Sequence, residues 1–156
     1  MRLTTYTDYA LRTLMYLAIK PWGLATIADI STAYGISSNH LMKVVHQLGR
    51  AGVIETVRGR QGGLRLARSP EKISLADIVQ RMEPDIDIAP CFSAKGTCTI
   101  QSCCVLQRAL KEALDAFLSV LEGYTLADLI KPQRRLTTLL GIEAKTPTKR
   151  VAALQP

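Results

Sequence analysis

Cysteine is absent from most of this 156-residue chain, because all four cysteines fall between Cys91 and Cys104. Long apolar runs are also missing: Arg, Lys or Asp interrupts each stretch before the roughly 18 residues that a membrane-spanning helix needs. The N-terminus has no apolar signal-peptide core and carries an early acid, Asp8. These absences predict a cytoplasmic protein with no membrane partner. In that reducing compartment, clustered cysteines are more often metal ligands than disulfides.

The sequence also lacks the residue patterns that most enzymes need. It has only two histidines, no Walker loop, and neither a Ser/His/Asp set nor a pair of carboxylates at a catalytic spacing. We therefore expect no catalytic activity, which leaves binding as the leading class of function.

Positive charge is concentrated in the first half of the chain. Residues 1–70 contain nine Lys or Arg and three Asp or Glu, whereas residues 71–142 contain eight and nine. Lys and Arg that neutralise phosphates release condensed counterions, which favours binding to nucleic acid. The N-terminal half is therefore the candidate polyanion-binding part of a chain whose net charge is +7.

Helical periodicity and capping residues predict three helices in this first half. Apolar residues at helical spacing indicate a helix over residues 6–20. Thr26 then caps a short helix that ends at Gly35, and Ser37 caps a third helix in the same way.

A hairpin follows the third helix. Residues 53–57 and 63–67 have strand patterns, and the loop between them is basic and punctuated by glycine. Three helices and a hairpin in this order predict a winged helix-turn-helix domain over residues 1–69, within a mainly α protein.

Polar and basic side chains of this domain are the candidate contacts to double-stranded DNA. In a winged helix the third helix enters the major groove, and side chains of these types hydrogen-bond base edges or phosphates. The predicted contacts are Ser37, Ser38, Asn39, His40 and Lys43 on the helix, and Arg58, Arg60, Gln61 and Arg65 on the wing. For any single residue the alternative is a solvated surface side chain, so only the set indicates DNA binding.

Helical patterns return in the second half. Ser74 caps a helix that reaches about Glu83, a long amphipathic helix covers residues 104–123, and a short helix follows Thr125. We predict that residues 70–142 form a unit made of a cysteine-rich loop and a long helix, and that residues 143–156 form a disordered tail.

The cysteines indicate a metal or iron-sulfur site. Cys91, Cys98 and Cys104 have a C-x6-C-x5-C spacing on a loop that leads into a helix, so they can converge on one soft metal centre. Zinc sites favour closely paired cysteines at C-x2-4-C spacing, which are missing here, so an iron-sulfur cluster is favoured. A zinc-stabilised nucleic-acid-binding module and buried inert thiols stay open. Cys103 and Cys104 are neighbours that point about 100° apart on a helix, so one of them is spare.

Residues 1–12 (MRLTTYTDYALR), the wing residues 57–66 (VRGRQGGLRL) and the three-cysteine loop together resemble the iron-sulfur winged-helix repressors that include IscR, NsrR and RirA. The resemblance covers residues 1 to about 142. It implies a homodimer that pairs through the long helix and binds a palindromic operator, with cluster chemistry controlling DNA affinity. It also implies that Cys91, Cys98 and Cys104 hold the cluster, with four irons favoured over two, and that Cys103 does not.

Two further positions bear on the fourth ligand and on the signal. IscR-like members have a His three residues after the third cysteine, where this chain has Gln107. NsrR-like members carry Thr-Asp near the start, which matches Thr7 and Asp8 here. The resemblance therefore implies that Asp8 binds the partner subunit's cluster and that nitrosylation of the cluster by nitric oxide is the signal. A repressor that responds to iron or iron-sulfur status, and a plain helix-terminal role for Asp8, are the alternatives.

Overall fold

The computed structural model describes residues 2–20, 23–83, 86–92 and 98–142, and the predicted disordered tail lies outside these ranges. The described part is mainly helical, as the sequence predicts. Its helices and strands are α1 (Thr5–Ile19), α2 (Ile27–Tyr34), α3 (Ser38–Arg50), β1 (Ile54–Val57), β2 (Gly63–Leu66), α4 (Leu75–Met82), α5 (Val105–Glu122), α6 (Leu126–Leu129) and α7 (Gln133–Leu139). Within the described ranges, none of these helices is long and apolar enough to cross a membrane.

Local capping explains where α2 begins and ends. The Thr26 side chain accepts from the Asp29 amide, and the Asp29 carboxylate accepts from the Thr26 amide, which completes the predicted capping box. The helix ends at Gly35, whose φ of 65° lies in the left-handed region that glycine adopts without steric cost. Both boundaries agree with the sequence-based prediction.

The third helix buries the face that its sequence predicts: Leu41, Val44, Val45 and Leu48 are all buried. The predicted capping by Ser37 is wrong in one respect. Ser37 occupies the N-cap position, but its side chain makes no capping hydrogen bond.

The hairpin is antiparallel, with Glu55 opposite Arg65 and Thr56 opposite Leu64. It is anchored to the segment before α2, because Ala25 and Leu64 exchange two backbone hydrogen bonds of 3.1 and 2.7 Å. The wing therefore has a fixed position beside the helical core.

One hydrophobic core joins the two predicted segments. It includes Leu14 of α1 and Leu48 of α3, but also Ile78 of α4 and Leu126 of α6. The backbones of the residues before α4 and α6 form an isolated bridge between Ser74 and Thr125. Helix α5 packs against α4, and α7 packs against α1. The division of the chain at residue 69 into a winged-helix domain and a second unit therefore stays a prediction.

Candidate DNA-reading surface and cysteine site

The candidate reading surface of α3 is a stripe of polar side chains opposite its buried face. Because successive residues on a helix are about 100° apart, Asn39, Lys43, His46 and Arg50 project most directly away from the core, and all four are exposed. His46 and Arg50 are absent from the sequence-predicted set. Their spacing of seven and eleven residues from Asn39 is the signal that places them on the same face.

The two serines at the start of α3 lie beside this stripe. Ser37 is exposed at the N-cap position. The Ser38 hydroxyl lies 3.3 Å from the Ser31 hydroxyl of α2, to which it donates. Ser38 is therefore already in contact with α2, while its exposure leaves it accessible to a second partner.

His40 lies on the flank of α3 that faces α1. Its ring centroid is 6.1 Å from that of Tyr6, in an edge-on arrangement with planes 79° apart. It is also 6.1 Å from the ring centroid of Tyr9, with planes 35° apart. The exposed side chain of His40, which the sequence assigns to DNA, thus lies against two tyrosines of α1.

The wing presents exposed basic side chains at its tip. Arg58, Arg60 and Gln61 are exposed in the loop between β1 and β2. Arg65, on β2, instead contacts the Glu55 carboxylate across the hairpin, with its Nε at 2.8 Å and its Nη2 at 2.7 Å. A DNA phosphate would therefore have to share Arg65 with Glu55. Arg58 and Arg60 lie instead in the loop, where the hairpin extends farthest.

Two glycines of the wing are required by close backbone contacts. A Cβ at Gly62 would lie 2.3 Å from the Val57 carbonyl oxygen, and a Cβ at Gly63 would lie 2.8 Å from the Ala25 carbonyl oxygen. Within the chain itself, these glycines allow the hairpin to close and to approach the segment before α2.

Asp8 lies in the first turn of α1, where its carboxylate pairs with Arg12. The Arg12 Nε is 3.1 Å from Asp8 Oδ1 and 3.0 Å from Oδ2. The Arg12 guanidinium in turn lies 5.8 Å from the centre of the Tyr34 ring. Burial raises the pKa of Tyr34 above its ordinary value, so this phenol stays neutral at physiological pH. The Asp8 side chain is about half exposed and can be reached from outside the subunit.

A cavity of about 810 Å³ lies at the start of α5, a volume within the range of small-ligand sites. Cys91, Cys103 and Cys104 line it, whereas Cys98 is exposed and is not among the residues that line it. Among the described residues, no three His, Cys, Asp or Glu side chains form a group close enough to hold a metal ion. The structure therefore brings Cys91 and Cys104 to one cavity and leaves Cys98 outside it.

Gln107 connects the two ends of the cysteine segment. Its side-chain amide donates to the Cys91 carbonyl oxygen at 3.1 Å, and its backbone amide donates to the Cys104 sulfur at 3.4 Å. Cys104 is the N-cap residue of α5, so its sulfur lies at the positive end of the helix dipole.

The chain is similar to transcriptional regulators in sequence and in fold. A sequence profile of the Rrf2 family, described as an iron-dependent transcriptional regulator, matches residues 3–132. The HTH-type transcriptional regulator NsrR of Bacillus subtilis is 48% identical over 145 residues, which cover 92% of this chain and 99% of that protein. Among solved structures, IscR of T. potens has a TM-score of 0.69 at 25% identity, over 94% of both chains. CymR, the global cysteine regulator of B. subtilis, has a TM-score of 0.67 at 27% identity, over 83% of this chain and 95% of its own.

These similarities confirm the predicted winged-helix fold and the resemblance on which the sequence interpretation relies. The named relatives are regulators of transcription and not enzymes, in agreement with the expectation that the chain has no catalytic activity.

Proposed function

The chain belongs to the Rrf2 family of iron-dependent transcriptional regulators, and from this premise we propose that it is a homodimeric repressor that binds a palindromic DNA operator. We infer further that an iron-sulfur cluster controls its DNA affinity and that nitric oxide is the signal. The observation that carries the proposal is that one chain combines an outward polar stripe on a reading helix with a cavity lined by cysteines.

DNA binding is supported by charge and geometry together. The outward stripe contains Asn39, whose side-chain type pairs with adenine, and Lys43 and Arg50, whose types pair with guanine or phosphate. Arg58 and Arg60 extend the same positive charge onto the wing. One reading helix covers one half-site, so a palindromic operator requires two subunits whose reading helices lie about 34–36 Å apart.

Dimerisation through α5 is supported by an apolar face that the subunit leaves exposed. The apolar residues of the predicted amphipathic helix divide into two sets, because Leu114 is buried within the subunit whereas Leu106 is 67% exposed. Because successive residues of a helix are about 100° apart, one exposed face of α5 carries Val105, Leu106, Ala109, Ala113, Ala116 and Val120. Three alanines on this face allow a second helix to approach closely.

A charge placed on this face tests the dimer. Ala113→Glu would put a carboxylate in the proposed contact, and Ser119→Glu would put the same charge on the polar side of α5, where Ser119 is exposed. We expect sedimentation analysis to give a monomer for Ala113→Glu and a dimer for both Ser119→Glu and the wild type. A dimer for Ala113→Glu, or a wild-type monomer, would exclude α5 as the contact.

The cysteine site fits an iron-sulfur cluster in the chemistry of its donors. Cys91 and Cys104 line one cavity, and the Cys104 sulfur accepts an amide hydrogen bond of the kind that tunes such clusters. Cys98 would complete the set of three thiolates, with four irons favoured over two. When bound, the cluster would supply iron that reacts with nitric oxide.

Asp8 is the proposed fourth ligand, offered to the partner subunit's cluster. Its half-exposed carboxylate lies in the first turn of α1, the helix against which the reading helix α3 packs. A bond between Asp8 and the partner's site would tie the position of α1 to the cluster, and release of that bond would allow the reading helices to change their separation. Carboxylate oxygen is a poor match for a thiolate-rich site, so this ligand is readily displaced.

A pair of substitutions separates this role from the ion pair with Arg12. Asp8→Asn removes both the proposed ligand and the ion pair, while Arg12→Gln removes only the ion pair. We expect Asp8→Asn to change the absorption of the reconstituted cluster and its reaction with nitric oxide, and Arg12→Gln to leave both as in the wild type. If the two variants give the wild-type spectrum, Asp8 is only a helix-terminal acid that pairs with Arg12.

The whole proposal is tested by anaerobic reconstitution. Iron and sulfide are counted, and binding to a duplex selected by the reconstituted protein from a random pool is measured before and after nitric oxide is added. We expect a coloured iron-sulfur protein whose DNA affinity falls with nitric oxide. A colourless protein with one zinc per chain would identify a zinc-stabilised binding module. A response to iron removal but not to nitric oxide would identify a sensor of iron status.

A further inference from the structure

His40 is held by α1 in a way that its assignment as a base contact does not explain. Tyr6 and Tyr9 lie one turn apart on α1, both pack on the hydrophobic core, and both rings lie 6.1 Å from the His40 ring. Aromatic rings attract one another at centroid distances of about 4.5–7 Å in edge-on and tilted arrangements. Both contacts satisfy that range.

The direction of the His40 side chain also indicates that its ring contacts α1 rather than a DNA base. At about 100° per residue, the neighbouring Asn39 points away from the core, and the next outward residue, Lys43, follows one turn later. His40 is rotated toward α1, at the edge of the stripe and next to the buried Leu41. Its ring is therefore better placed to fix the angle of the helix than to enter a groove with the outward residues.

We propose that His40 is a positioning residue, whose ring between Tyr6 and Tyr9 fixes the angle at which the first turn of α3 presents Asn39 and Lys43 to DNA. This inference rests on the proposed DNA-binding function. Asp8 lies between the two tyrosines in sequence, on the same turn of α1, so the contact joins the reading helix to the segment through which the proposed signal would pass.

Three substitutions at His40 distinguish a positioning ring from a base contact. His40→Phe keeps a flat ring for the tyrosines but has no hydrogen-bonding nitrogen. His40→Gln keeps hydrogen-bonding groups but has no ring, and His40→Ala has neither. Affinity is measured for the duplex that the wild type selects from a random pool, and thermal unfolding of each variant checks that it is folded.

We expect His40→Ala and His40→Gln to weaken binding about threefold to tenfold, and His40→Phe to bind nearly as well as the wild type. In a Tyr6→Leu/Tyr9→Leu background, the effect of His40→Ala should largely disappear, because the ring then has nothing to rest on. His46→Ala is the matched control: it removes the other histidine of α3, and its effect should be the same in both backgrounds.

The positioning role would be overturned if His40→Phe lost as much DNA affinity as His40→Ala while His40→Gln retained it. That result would show that His40 contacts a base. An effect of His40→Ala that persists without the tyrosines would also overturn the positioning role. Failure of the wild type to select any duplex would reject the proposed DNA-binding function. The experiment therefore distinguishes failure of that function from failure of the positioning role of His40.

Discussion

The Thr7 hydroxyl donates a hydrogen bond of 2.5 Å to Oε1 of Glu83, joining the first turn of α1 to the residue that ends α4. The same oxygen accepts from the Thr4 amide at 2.8 Å and from the Thr4 hydroxyl at 3.3 Å. Thr7 is completely buried. A carboxylate that precedes the cysteine segment thus fixes the start of the helix that carries Asp8.

This network should contribute measurably to stability. Thr7→Val removes one donor and keeps the side-chain shape, and we expect a loss of about 1–2 kcal/mol in the free energy of unfolding. Glu83→Ala leaves three donors without their acceptor and should cost more, about 2–3 kcal/mol. Urea unfolding measures both, with Asp77→Asn on the exposed side of α4 as the charge-matched control. A change below about 0.5 kcal/mol for Thr7→Val, the scatter of ordinary surface substitutions, would contradict the prediction.

The two adjacent cysteines should differ in their importance for iron binding. The Cys104 sulfur accepts the Gln107 amide at the start of α5, whereas the exposed Cys103 sulfur donates to the Ile100 carbonyl at 3.5 Å. We expect Cys103→Ser to retain the iron content and visible absorption of the reconstituted protein, and Cys104→Ser to lose them. The opposite result would exchange the roles of the two residues.

Two glycines should respond in opposite directions to the same substitution. A Cβ at Gly63 would lie 2.8 Å from both the Ala25 carbonyl oxygen and the Leu24 Cβ, so Gly63→Ala should destabilise the protein by about 1–3 kcal/mol through overpacking. Gly49 lies within α3 with no atom near its added Cβ, and Gly49→Ala should stabilise the protein by about 0.5–1 kcal/mol. Urea unfolding of the two variants checks both signs, and destabilisation by Gly49→Ala would contradict the account.

The capping acid of α6 should make stability depend on acid pH. The Lys131 ammonium at 2.8 Å, followed by the Thr125 amide, lowers the pKa of Asp128 to about 2. Because the pKa is lower in the folded state, the stabilisation is present above the ordinary carboxyl pKa and is lost as pH falls through the folded value. The thermal midpoints of the wild type and Asp128→Asn should therefore differ at pH 5 and converge near pH 2.

Asp115→Asn is the control for that experiment, since it removes a carboxylate from the exposed pair with Lys111 on α5. We expect it to have a smaller effect across the same pH range. If the thermal midpoints of the wild type and Asp128→Asn differ by the same amount at every pH down to 2, the depressed pKa of Asp128 is contradicted.

Elements with strong local signals were predictable, and those that depend on packing were not. The Thr26 and Asp29 pair and the left-handed Gly35 define α2 within a few residues of sequence. The sequence patterns do not predict α7, which begins without a side-chain cap. It is short, follows Pro132, and packs against α1, so its stability comes from contacts that a sequence window does not contain.

The sequence by itself determined the order of the winged-helix elements, the buried face of α3, the basic wing and the spacing of the cysteines, because helical periodicity, capping and glycine turns act over a few residues. The tertiary structure alone decided which distant residues the polar side chains contact: His40 lies against Tyr6 and Tyr9, and Thr7 bonds to Glu83. The last contact joins residues 76 positions apart. No periodicity encodes such a pair, since it depends on how α1 and α4 pack around the shared core.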